Sequence, residues 1–151
     1  MSTQTNQPRI VIDTREKCPL DFGDVTTVRK TLKTGDYSLE GYEHLMACER
    51  KNWQDAWGSM SAGRARFERC VARLAELDRA AIVIECTLMG LCERPPQIQR
   101  TTAASVIGGL VSWSVKYNIP VFFAGNREFA ARITLRWLAS WMKHRAPVVG
   151  K

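Results

Sequence analysis

Short continuous apolar runs, rather than long periodic ones, mark out much of this chain. Arg9–Asp13, with Ile10, Val11 and Ile12 unbroken, and the run from Ala80 to Glu85 predict strands covered on both faces, near the centre of a sheet. Leu45-Met46-Ala47-Cys48 predicts a further buried strand that carries Glu49, Arg50 and Lys51 at its end, and Val121–Ala124 a short one. The Thr- and Val-rich stretch from Val25 to Leu32 predicts a second strand, with Arg29, Lys30 and Lys33 on or beside it. Gly35–Leu39 is a hairpin-like segment closed by a Glu40-Gly41 turn. Helical periodicity takes over elsewhere. Phe67, Cys70, Val71, Leu74 and Leu77 form one face of a helix over Ala62–Leu77. Val106, Ile107, Leu110, Val111 and Val115 predict a helix over Thr101–Lys116, with Ser105, Gly108, Gly109 and Ser112 as a face of small residues that a neighbouring helix can approach. Asn118-Ile119-Pro120 ends it. Asn126 caps a last helix running to about His144, with Phe129, Ile133, Trp137 and Trp141 expected to be buried. Trp53 and Trp57, four apart, are assigned to the core. Cys18–Gly23 and Cys86–Gln99 are read as turn-rich connections.

At 151 residues and 45% hydrophobic content the chain is expected to fold as one domain, burying roughly 68–70% of its unfolded surface. No apolar run approaches the roughly 18 residues of a membrane-spanning helix, and the polar start, Met1–Pro8, lacks a signal-peptide pattern. The expectation is an intracellular, cytoplasmic protein without a membrane partner, with a disordered tail over 1–8, a domain over 9–146 and a short tail over 147–151. Twenty-two Lys and Arg against 15 Asp and Glu give a net charge of +7, which favours encounter with polyanions such as nucleic acid. Five cysteines without a Cys-x-x-Cys pair, and two distant histidines, do not compose a zinc site. The cysteines are read as reduced thiols packed as small hydrophobes. His144 suits a helix end and is given no catalytic work.

Charge is concentrated in one stretch. Side chains alternate along a strand, so Glu49 and Lys51 face one side and Arg50 the other. Antiparallel pairing of the Gly35–Leu39 segment with the strand ending at Glu49 brings Asp36 to the same end of the sheet. Two carboxylates hold a hard divalent cation, and a lysine beside them orients an attacking water or stabilises charge developing on phosphorus. Asn52 is a good N-cap, which gives Asp55, three residues on, two readings: a capping group, or an acid that orients Lys51 and Arg50. Arg66, Arg69 and Arg73 form a helical stripe, either a solvated face or a track for phosphates.

Gly35-Asp36, a gap, then Glu49-Arg50-Lys51-x-x-x-Asp55, preceded by Ile10–Glu16, resembles the nuclease domain of the XPF family of structure-specific endonucleases. Gly63-Arg64 resembles that family's Gly-Arg pair, and the order of the later elements follows the family through the last helix. The resemblance implies an α/β, restriction-endonuclease-like core with a mixed sheet flanked by helices. It implies hydrolysis of DNA phosphodiesters with Mg²⁺ or Mn²⁺, at flaps or other branched structures, in repair, recombination or replication. Asp36 and Glu49 become metal ligands, with Asp13 a further ligand or a supporting group. Lys51 assists the attacking water, Arg50 supports the site or contacts phosphate, and Asp55 holds the basic pair. Arg15 and Glu16 take a supporting or DNA-facing role, and Arg64, Arg66 and Arg69 face DNA. A homodimer through the nuclease domain is implied, as is a standalone bacterial or viral type, since no room is left for the tandem helix-hairpin-helix module of many members. The competing reading is a catalytically inactive, DNA-binding partner subunit of the same fold.

Overall fold

The computed structural model of the chain describes residues 8–145. Apart from Pro8, the tails expected over 1–8 and 147–151 lie outside the described residues. In chain order the elements are β1 (Ile10–Asp13), β2 (Thr27–Lys30), β3 (Tyr37–Leu39), β4 (Met46–Lys51), α1 (Trp53–Ser59), α2 (Arg64–Ala75), β5 (Arg79–Ile84), α3 (Leu88–Leu91), α4 (Ala103–Tyr117), β6 (Val121–Phe123) and α5 (Arg127–His144). The strands form one mixed sheet in the order β2-β1-β3-β4-β5-β6. The β1–β3 and β3–β4 pairs are antiparallel; β1–β2, β4–β5 and β5–β6 are parallel.

The two faces of the sheet are covered by different helices. Ala47, Ala80, Ile82 and Ile84 pack with Trp57 and Met60 near α1, Phe67, Val71 and Leu74 of α2, and Val106, Leu110 and Trp113 of α4. Ile10, Ile12, Tyr37, Leu39, Met46, Cys48, Ala81 and Val83 pack on the opposite face against Ala130, Ala131, Leu138 and Trp141 of α5. Because side chains alternate between two covered faces, Met46–Cys48 of β4 and Ala80–Ile84 of β5 are apolar without interruption. Helix starts follow the capping rule: Asn52, Thr102 and Asn126 accept from the backbone N–H groups of Asp55, Ser105 and Phe129. Asn118 ends α4 in the left-handed region at φ 53°, two residues before Pro120.

Several expectations are corrected. The second strand is shorter than Val25–Leu32, and it lies parallel to β1 at the sheet edge. The Cys86–Gln99 connection contains the single-turn helix α3, capped by the Thr87 hydroxyl. Phe129 is 49% exposed, because α5 turns Ala130, Thr134 and Leu138 inward instead. On α4, Val111 and Val115 face outward while Trp113 is buried. Of the small residues there, Gly109 meets the side chains of Arg64 and Met60, and Gly108 is open. All five cysteines are free, but Cys18 and Cys92 are exposed rather than packed.

Gly35 fixes the entry to β3. Its φ is +82°, and a Cβ there would lie 2.8 Å from Ala47 Cβ and 3.3 Å from the Cys48 carbonyl oxygen. The left-handed conformation costs a non-glycine residue about 1–2 kcal/mol, and overpacking adds about 1–3 kcal/mol. Gly35→Ala is therefore expected to lower the melting temperature by roughly 5–15 °C in a chain of this length. An unchanged melt would remove this account of the glycine.

Candidate active site

The backbone places Asp36 before its side chain does anything. Its N–H donates to the Cys48 carbonyl of β4 at 2.8 Å, and its carbonyl accepts from Asp13 N–H of β1 at 2.9 Å. Its Oδ2 accepts from the Arg50 backbone N–H at 2.8 Å. Asp36 is thus wedged between two strands on three hydrogen bonds. One strand over, the pleat of β4 turns Glu49 and Lys51 to the α1/α2 side together with Ala47, as the alternation predicted. Lys51 Nζ sits 3.7 Å from Glu49 Oε1, an ion pair longer than a hydrogen bond, and 4.6 Å from the centre of the Phe67 ring.

Burial is the largest influence on both acids. It pushes the Asp36 and Glu49 carboxyls well above the ordinary carboxylate range, and for Glu49 the charge of Asp36 comes next, with Lys51 pulling the other way. A raised pKa means that the folded protein holds these protons more tightly than the unfolded chain. The pair stabilises the fold below the ordinary carboxylate range, and that contribution is lost as pH rises through the raised values. Without metal, Glu49→Gln is expected to melt about 3–10 °C above the parent at pH 8, corresponding to about 1–3 kcal/mol. The gap should close toward pH 4. Melts in EDTA across this range test it, and a pH-independent difference would contradict the shift.

Asp13 is 2% exposed and fully engaged. Its Oδ1 accepts from Leu32 N–H at 2.8 Å, and its Oδ2 from Arg15 Nε at 2.8 Å. Burial alone would raise its pKa, but these partners together hold it below the ordinary value. Of its two expected roles, the geometry favours the supporting one. Arg15, expected in a supporting or DNA-facing role, also donates to the Leu32 carbonyl at 2.7 Å, although its side chain remains 66% exposed.

Arg50 occupies the other side of β4. Its guanidinium pairs with Glu85 at 2.6 Å and Glu16 at 3.2 Å and donates to the Cys18 carbonyl at 3.2 Å. Arg127, the first residue of α5, lies 3.8 Å from Glu85 and donates to the Cys18 and Pro19 carbonyls. Arg50 therefore fastens the loop after β1 to the end of β5, and the phosphate-contact reading is set aside. Glu16 is its ion-pair partner, which fits the supporting one of its two expected roles. Glu85 and Arg127 were not expected at the site. The available signal was an acid terminating a buried strand, as Glu49 does.

Two adjoining depressions open on the α1/α2 side. The smaller, about 170 Å³, is lined by Asp13, Asp36, Glu49 and Arg15, with Cys70 and Arg73 on α2. The larger, about 470 Å³, shares Glu49, Cys70 and Arg73 with it and continues past Lys51 to Gln54, Asp55 and Arg66. Cys70 is pushed up to about 11 by burial and then by the Glu49 charge, so it is a neutral lining group. The arginine stripe divides: Arg66 and Arg73 line the larger depression, and Arg69 lines neither. Arg64 is turned away from the role expected of it. It reaches Ser105 on α4 at 3.5 Å and lies 5.4 Å over the Trp113 ring, joining two helices. Asp55 accepts no ion pair from Lys51 or Arg50 among the described residues. Its N–H is capped by Asn52 and its side chain forms part of the wall.

The ERCC4 domain family matches residues 12–136, most of the chain and every residue of this cleft. The chain belongs to that family. Two similar solved structures are XPF from Aeropyrum pernix in complex with DNA and XPF from Aeropyrum pernix. Each is 23% identical, with TM-scores of 0.71 and 0.70. The matches cover 95% and 91% of this chain, and 69% and 66% of those chains, so the ERCC4 domain here spans about two thirds of their length. Among curated proteins, none matches. The mixed six-stranded sheet flanked by helices is the restriction-endonuclease-like fold of that XPF domain.

Proposed function

We propose that this chain is a divalent-metal-dependent endodeoxyribonuclease that hydrolyses phosphodiester bonds at branched or flap structures, in DNA repair, recombination or replication. The observation that carries the reading is the convergence of Asp36, Glu49 and Lys51 in a cleft walled by Arg66 and Arg73. Family membership supports it, as does the DNA in the structure of one similar protein.

The donor set suits Mg²⁺ or Mn²⁺. Among the described residues no group of three or more His, Cys, Asp or Glu is placed to hold a metal ion. Mg²⁺ characteristically takes one or two carboxylates and completes its shell with water and phosphate oxygens, and Asp36 and Glu49 supply such a pair. Their raised pKa values describe two buried acids short of positive charge, the state that a cation relieves. When bound, the cation supplies Lewis-acid activation of the phosphodiester. The chain's own groups do the rest. Arg50 N–H fixes which oxygen of Asp36 remains free. Lys51 sets its ammonium toward the attacking water and the charge gathering on phosphorus. Arg66 and Arg73 hold the flanking phosphates, and Asp13 with Arg15 braces the wall.

A homodimer through this domain fits the same reading, with apolar side chains of α3, α4 and α5 left exposed, among them Met89 at 84% and Val115 at 80%.

The test gives purified protein flap, fork, four-way junction and linear duplex DNA, each with Mg²⁺, Mn²⁺ or EDTA. Metal-dependent cutting is expected, stronger on branched DNA, with affinity falling steeply as salt rises because phosphate contacts dominate. Binding to every substrate with no cutting under either metal would favour the inactive partner-subunit reading. Equal cutting of linear and branched DNA would remove the structure-specific part alone.

A further inference from the structure

We propose that the larger depression, between α1 and α2, is a subsite for one unstacked nucleotide of single-stranded DNA, adjoining the phosphodiester at Glu49 and Lys51; this rests on the nuclease reading above. At about 470 Å³ the space exceeds what a phosphate needs and falls in the range of sites that enclose a small organic ligand. Its two walls differ in chemistry. The α2 wall carries the cations Arg66 and Arg73. The α1 wall carries Gln54, Asp55 and Ser59, which together offer both hydrogen-bond donors and acceptors. A nucleotide has this same division, a phosphate on one side and a base edge on the other. An acidic peptide or a second anion would meet Asp55 and Glu49. A paired base has its Watson–Crick edge engaged, whereas an extruded base can present that edge to Gln54 and Asp55.

Gly58 supplies the room. It lies inside α1 with ordinary backbone angles, it lines the depression, and a Cβ built on it meets nothing within 4 Å. Phe67, at the bottom, is only 5% exposed, so the subsite offers no aromatic platform. Recognition then rests on phosphate contacts and base-edge hydrogen bonds. The subsite would make a strand that leaves the duplex next to the cleaved bond a better substrate than continuous duplex, using the nuclease domain alone.

The experiment fills the space. Leucine favours a helix more than glycine does, so Gly58→Leu should melt at or above the parent temperature. Binding of fluorescein-labelled hexathymidylate and of a blunt DNA hairpin is followed by anisotropy in EDTA, where no cutting occurs. Gly58→Leu is expected to weaken hexathymidylate binding at least tenfold and hairpin binding less than twofold, with Gly58→Ala between parent and leucine. Equal hexathymidylate affinity in parent and Gly58→Leu would overturn the subsite, as would an equal loss on both probes. Should Gly58→Leu melt lower, Gln54→Ala carries the test: a threefold or greater loss confined to hexathymidylate supports the subsite, and no loss overturns it. These measurements involve no catalysis, so the subsite and the nuclease reading can fail separately.

Discussion

Asp36→Ala protein is expected to cut no DNA with Mg²⁺ or Mn²⁺ while melting near the parent temperature and retaining most of its DNA affinity. The backbone hydrogen bonds of Asp36 to Cys48 and Asp13 survive the change, so β3 stays in place. The carboxylate also leaves an acidic pair that repel each other, which offsets the lost hydrogen bond to Arg50 N–H. No cation of the cleft is removed, so phosphate contacts persist. What disappears is one of two oxygen donors for the metal, and a single acid in this recess is a poor holder of a divalent ion. Nicking of a labelled flap, a thermal melt and a gel shift together decide it. Parent-level cutting by a folded Asp36→Ala protein would end the metal assignment.

Lys51→Ala should lower turnover by about 10²–10³-fold, the scale of losing one preorganised charge-stabilising group. The ammonium is 3.7 Å from Glu49, and a protonated lysine cannot ligate a cation. Its absence should therefore appear in the chemical step and not in metal affinity. Single-turnover rates across a Mn²⁺ titration separate the two. Full recovery of rate at saturating Mn²⁺ would show that Lys51 acts only by shaping the acidic pair.

The strands of the sheet centre were legible because burial on two faces leaves a continuous apolar run. The convergence of Asp36, Glu49 and Lys51 was legible because it needs only one hairpin and the alternation of a strand. What stayed hidden depends on residues far apart in sequence. Arg50 meets Glu16 and Glu85 across separations of 34 and 35 residues, and Asp13 meets Leu32 N–H across 19. None of these three partners could be chosen from periodicity. Phe129 shows another limit. Phe129, Ile133 and Trp137 are each four apart, yet α5 buries the stripe of Ala130, Thr134, Leu138 and Trp141 beside it. Arg64 was expected to face DNA from the Gly-Arg resemblance, and nothing local announces Trp113 beneath it.

The pleat of β4 makes the sheet a partition between two separate ionic systems. On one side, Glu49 and Lys51 face each other across 3.7 Å at the cleft; on the other, Arg50 is paired with Glu16 and with Glu85, which Arg127 also approaches. Three consecutive charged residues achieve this only while they stay in frame. Inserting one residue between Cys48 and Glu49 would send Arg50 into the cleft and bury Glu49 and Lys51 against α5. Composition and net charge near the site would be almost unchanged, and both systems would be lost together. The tripeptide is thus constrained by reading frame as firmly as by chemistry.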